Sequence, residues 1–191
     1  SAVPADTDKI HHSGTGRFAW LTMRTMSLYE SGESTGEVSL NELFSNPNAD
    51  VFGTSNLNID SIAWLICRGG WPRATTISKD VALDMAYRYY EAVVNNDISR
   101  VDNVKRDAER TKRILRSIAR NQCAQISVNT ICADIENNDT ISANRMTIAS
   151  YIEALKKIFV LEDSLAWNPN LRSKTAIRSS ETRYFSDPSI G

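Results

Sequence analysis

Arginine dominates the chemistry this sequence could perform. Arg106, Arg110, Arg113, Arg116 and Arg120 recur at spacings of three and four. On a helix advancing about 100° per residue they share one face. Ile114, Leu115, Ile118 and Ala119 fall on another face, so Asp107–Gln122 is expected to be an amphipathic helix with a basic stripe. A stripe of this kind holds phosphates, is simply solvated, or pairs with acidic segments of the same chain. The net charge of −1 conceals the segregation that makes all three readings available. Residues 100–120 carry eight Lys/Arg against three Asp/Glu, and residues 1–60 carry three against eight. Surface ion pairs contribute only about 0–1 kcal/mol each, so stability alone does not call for five arginines.

A second polar set lies downstream. Ser127–Asn137 carries Val128, Ile131, Cys132 and Ile135 at helical spacing, a polar break follows at Asn138-Asp139-Thr140, and a helix is expected from Ser142 to about Phe159. In that helix Ile148, Ile152, Leu155 and Phe159 form the inward stripe, leaving Asn144, Arg145, Thr147, Ser150 and Tyr151 nearer solvent. Two helices joined by a tight polar turn are a helix-turn-helix pattern. The stretches Phe159–Trp167 and Arg183–Phe185 read as strands on either side of a basic loop with Arg172, Lys174 and Arg178. The expected fold is therefore mainly α, a helical part followed by a winged helix-turn-helix-like domain with a short β-hairpin.

That fold suggests DNA as a partner. Asn144 or Arg145 would reach base edges in a major groove, while Arg172 and Lys174 on the wing would touch phosphates, and Arg110, Arg113 and Thr147 would add further DNA contacts. Winged helices also serve as protein-docking or self-association modules. On that reading exposed aromatics such as Trp71, Tyr151 and Trp167 would anchor the interface. A purely architectural role is the third alternative.

Upstream elements are less regular. To about Asn58 the chain is rich in turn formers, with Arg17–Met26 a loose strand and Ser39–Phe44 a short helix that Ser39 and Glu42 would close with a capping box. Asp60 would cap Ser61–Arg68, which stops at Gly69-Gly70-Trp71-Pro72. Ser78 or Asp80 opens a longer helix from Val81 to about Asn96, with Leu83, Ala86, Tyr87, Tyr90 and Val94 recurring at threes and fours. The expected divisions are 1–58, 59–100 and 101–191.

Other chemistries find no support. Ser13-Gly14-Thr15-Gly16-Arg17 lacks the lysine of a phosphate-binding loop, and neither GxSxG nor HExxH occurs. The adjacent His11 and His12 cannot share a helical face as metal ligands commonly do. Cys67, Cys123 and Cys132 are odd in number and lack CxxC spacing, which argues against a disulfide framework. No run of about 18 apolar residues is present for a membrane span, and Ser1–Ser13 has no apolar signal region. A cytoplasmic, non-membrane chain without catalysis of its own is the expectation.

Several segments together resemble one family. They are Ser1–Pro4, His12–Arg17, Met23–Gly32, Cys67-Arg-Gly-Gly-Trp-Pro72, Asn96–Arg100 and Tyr184–Pro188. Their order is similar to that of bacterial and archaeal AAA-like ATP-binding proteins with a C-terminal domain of unknown function, DUF4143. The resemblance implies a P-loop ATPase parent using ATP and magnesium, of which this chain would be a non-catalytic piece without Walker motifs or cofactor. It further implies that residues 1–58 end the ATPase core, that 59–100 are lid-like, and that nucleotide state is coupled to DNA or protein binding. Arg17 would present its guanidinium to a γ-phosphate. Gly69, Gly70 and Pro72 would form a nucleotide-proximal lid element.

Overall fold

The computed structural model describes residues 21–48, 50–139, 142–165 and 181–191. Two compact units divide the chain, one of them Arg24–Tyr87 and the other containing Arg88–Gly191.

In the first unit, α1 (Leu40–Ser45) follows Ser39, whose side chain makes no capping hydrogen bond, so the anticipated capping box does not form. Helix α2 (Ile59–Arg68) starts earlier than expected because Asn58, not Asp60, is its cap: Asn58 Oδ1 accepts from the Ser61 N–H at 2.8 Å. Asp60 sits instead in the first turn, where its charge suits the positive end of the helix. Gly69 ends α2 with φ +70°. A short 3₁₀ turn, Pro72–Thr75, begins with the proline, whose missing N–H costs nothing there. Helix α3 (Lys79–Ala92) begins in this unit. Residues 21–26 form no strand, contrary to expectation. Met26 instead donates its N–H to the Gly70 carbonyl at 2.7 Å.

Few apolar side chains are buried in this unit; Leu65, Ala74, Ala82 and Ala86 are the main ones. The buried Arg68 guanidinium is neutralised by Glu33, lies 5.3 Å from the centroid of the Trp64 ring, and donates through Nε to the Gly69 carbonyl at 3.0 Å. Burial opposes ionisation of Glu33, but hydrogen bonds from Arg68 and Ser31 outweigh it and hold the carboxyl below its ordinary range.

In the second unit the expected helix from Val81 to Asn96 is interrupted. Regular α3 ends at Ala92 and a π-helical turn, Val93–Asp97, leads into α4 (Ile98–Arg100). The wider turn buries Val93, Val94 and Ile98. Helices α5 (Ala108–Arg120), α6 (Val128–Asp139) and α7 (Arg145–Lys157) pack against one another. Ile114, Leu115 and Ile118 of α5 share a core with Ile131 and Ile135 of α6 and with Ile148, Ile152 and Leu155 of α7. Caps close these helices at their starts: Asp107 Oδ1 accepts from the Arg110 N–H at 2.7 Å, and Ser127 Oγ from the Thr130 N–H at 3.1 Å.

Helix α7 stops two residues short of the expected Phe159. Phe159 takes φ +60°, its N–H donates to the Lys156 carbonyl at 3.0 Å, and the Val160 N–H donates to the Leu155 carbonyl at 2.9 Å. This is a Schellman close, with phenylalanine where glycine is usual. Phe159 is therefore 55% exposed instead of belonging to the inward stripe. Tyr151 is also corrected: it is buried, 6% exposed, and its hydroxyl accepts from the Asp107 N–H at 2.8 Å.

Strands β1 (Leu161–Ser164) and β2 (Thr182–Phe185) pair antiparallel, Leu161 opposite Phe185 and Ser164 opposite Thr182. An isolated bridge joins Ala124, in the α5–α6 connection, to Arg183 of β2, with the Arg183 N–H donating to the Ala124 carbonyl at 3.2 Å. Asp163 locks the hairpin to α7. It accepts from Arg183 at 2.7 and 3.0 Å and pairs with Lys156 at 3.0 Å. Burial disfavours its charge, but the two cations prevail and hold its pKa down at about 2. Among the described residues no helix is long and apolar enough to cross a membrane. The three cysteines are free, with Cys132 buried and Cys67 and Cys123 exposed.

Candidate nucleic-acid interface

The arginine stripe does not survive intact. Arg106 lies before α5, not on it, and is buried. Its Nη1 and Nη2 donate to the two oxygens of Asp102 at 2.7 and 2.8 Å, and Nη1 also to the Ile98 carbonyl at 2.9 Å. The same guanidinium lies 5.7 Å from the centroid of the Tyr151 ring. The hydrogen bond from Arg106, working against burial, holds the Asp102 carboxyl below its ordinary range. Arg120 is tied to Asp134 on α6. These two arginines staple helices together. Arg116 is exposed.

Arg110 and Arg113 behave differently. Both line a small cavity of about 60 Å³ together with Ile135, Ser142, Ala143, Asn144, Thr147 and Ile148. Arg110 is exposed and Arg113 half-buried, and neither forms an ion pair among the described residues. The fold thus brings together four residues read from sequence as contacts: Arg110 and Arg113 of α5 with Asn144 and Thr147 at the start of α7. Arg145, the first residue of α7, is exposed beside them and likewise lacks a carboxylate partner among the described residues. Arg172 and Lys174 lie outside the described residues, as do Arg17 and Trp167.

What positions this group is the contact between α5 and α7. The Asp107–Tyr151 hydrogen bond sets the start of α5 against the middle of α7, and the Ile114–Ile148 side of the core keeps them there. Asn144 spends its Oδ1 as the cap of α7, accepting from the N–H groups of Met146 at 2.9 Å and Thr147 at 3.2 Å. Its amide NH₂ faces no protein acceptor among the described residues. Glu136 takes the Ala143 N–H at 3.1 Å. Sequence reasoning missed Ser142 as a lining residue, although its place just before the capped helix was a usable signal. It also misjudged Tyr151, which follows Ile148 by three residues and precedes Leu155 by four, and so had to face the core.

Gly69, Gly70 and Pro72 lie in the other unit. Gly70 makes its close approach to the chain itself: a Cβ there would stand 2.2 Å from the Met26 carbonyl oxygen. Gly69 and Pro72 end one helix and start the next turn.

No curated protein and no solved structure matches the chain. The resemblance to the DUF4143 ATP-binding proteins is overturned, because the family that matches is a different one. With it the P-loop ATPase parent, its ATP and magnesium, and the nucleotide roles of Arg17, Gly69, Gly70 and Pro72 lose the ground they stood on. Residues 59–191 match the domain of unknown function DUF8612, and the chain belongs to that family.

Proposed function

We propose that the second unit is a winged helix-turn-helix that binds duplex DNA, with α7 as the helix presented to the major groove. The order α5, bridging residue, α6, α7, β1, β2 supports it, since Ala124 adds a minimal third strand position to the hairpin edge as a wing requires. The observation that carries the reading is the set of arginines without carboxylate partners around the start of α7: Arg110, Arg113 and Arg145. A cation on the first residue of a helix faces the positive end of its dipole, at a cost of about 0.3–1 kcal/mol. A polyanion at that place removes the cost.

In this reading Arg145 and the free Asn144 amide donate to base-edge acceptors, with Thr147 beside them. Arg110 and Arg113 contact phosphates, as do Arg172 and Lys174 in the segment between the strands. Fluorescence anisotropy with a random-sequence duplex in low salt tests it. Binding is expected, with log K falling linearly against log salt concentration. No binding at high micromolar protein overturns the reading.

A second reading rests on the other unit. Ile59, Ile62 and Ile66 line one side of α2 at helical spacing and are 76%, 42% and 48% exposed. An apolar stripe of that kind favours self-association through a helix pair. Light scattering over a concentration series is expected to show a dimer that Ile62→Glu abolishes.

A further inference from the structure

Arg110 and Arg113 are one turn apart on α5 and edge the same cavity without a carboxylate between them. Like charges one helical turn apart repel. Three arginines of the same unit are answered within the chain: Arg106 by Asp102, Arg120 by Asp134, Arg183 by Asp163. The pair at the cavity, like Arg116 and Arg145, has no carboxylate partner among the described residues. The cavity's volume of about 60 Å³ is far below the several hundred Å³ of a nucleotide pocket. The hydroxyls of Ser142 and Thr147 supply further donors at the rim. The Met146 and Thr147 amides of α7 are already taken by Asn144. No acid lines the cavity among the described residues; Glu136 is turned to the Ala143 N–H and Asp107 to the Arg110 N–H.

We infer that this cavity is a seat for a single phosphate group, gripped by Arg110 and Arg113 and steadied by Ser142 and Thr147. The chemistry suits one phosphodiester of a nucleic-acid backbone or one free phosphate, and excludes recognition of base or sugar inside the cavity. The inference deepens the DNA-binding reading, because a seated phosphate would fix the register of α7 along the groove. Guanidinium forks match phosphate oxygens in pairs, which a lysine in the same place would not do.

The test uses the full chain and two probes. Inorganic phosphate is titrated while backbone amide shifts are followed by NMR, with sodium chloride at matched ionic strength as the reference. Saturable shifts at Arg110, Arg113, Ser142 and Thr147 beyond those from chloride are expected, and their loss in Arg110→Gln/Arg113→Gln. The double variant is expected to melt no lower than the parent, since it relieves repulsion. Shifts no larger than those from chloride overturn the seat. The second probe is the random-sequence duplex. The double variant is expected to bind it at least about fivefold more weakly, with the salt slope reduced by about two units. Phosphate shifts without duplex binding sink the DNA reading and leave a free-phosphate seat. Duplex binding unaltered in the double variant sinks the seat as a backbone contact and leaves the DNA reading standing.

Discussion

Phe159 shows how a single backbone angle carries a cost. An L-residue with a Cβ held at φ +60° gives up about 1–2 kcal/mol that glycine would not, and glycine returns part of this through its more flexible unfolded chain. The ring is more than half exposed and contributes little packing. Phe159→Gly is therefore expected to raise stability by about 0.5–1 kcal/mol, and Phe159→Ala to leave it level or lower it, in urea unfolding. Asp163 makes the opposite case, a residue whose surroundings favour its charge. Its pKa is near 2 folded and ordinary unfolded, so the stabilisation is present above about pH 4 and drains as the pH falls towards 2. The loss is on the order of 1–2 kcal/mol. Melting curves at pH 5 and pH 2.5 are expected to show it in the parent, and to show a smaller pH dependence in Asp163→Asn. Gly70 admits no side chain, because a Cβ would strike the Met26 backbone. Gly70→Ala is expected to cost about 2 kcal/mol or more in chemical unfolding.

At the scale of elements, one helix serves two purposes. The buried face of α5 carries Ile114, Leu115 and Ile118, while its first turns offer Arg110 and Arg113 to a cavity shared with α7. Arg113→Glu is thus expected to weaken duplex binding strongly while far-UV circular dichroism stays unchanged. Arg116→Glu, off the cavity, is expected to weaken it much less; both are read by anisotropy. The periodicity of α5, α6 and α7 and the strand pair were legible in the sequence, since each buries an apolar face on its own period. The fate of individual arginines was not. A helical wheel cannot show that Arg106 precedes the helix and turns inward to Asp102, or that Arg120 finds Asp134 on a neighbour. The cavity itself was only half legible: Asn144 and Thr147 were singled out on one element and Arg110 and Arg113 on another, but their meeting depends on the Tyr151 hydroxyl holding Asp107. The π turn at Val93–Asp97 and the asparagine cap of α2 were equally hidden, because apolar spacing is the same with or without them.

At the scale of the molecule, the two units use their apolar residues differently. The unit containing α5–α7 buries isoleucine after isoleucine, whereas the Arg24–Tyr87 unit leaves Phe44, Phe52 and Ile59 each more than three-quarters exposed. Protein that dimerises is expected to do so through the latter, and Ile62→Glu to return it to monomer in light scattering without lowering duplex affinity. The bridge from Ala124 to Arg183 has a consequence for how the chain matures. Leu161 pairs with Phe185 and the Val160 carbonyl accepts from the Ser186 N–H, so this buried edge closes only when residues made after all three helices arrive. On the ribosome the helical trio must therefore wait, half-finished and sticky, for its closing strand. A separately made peptide of residues 181–191 should dock onto a chain that ends before them and complete it in trans.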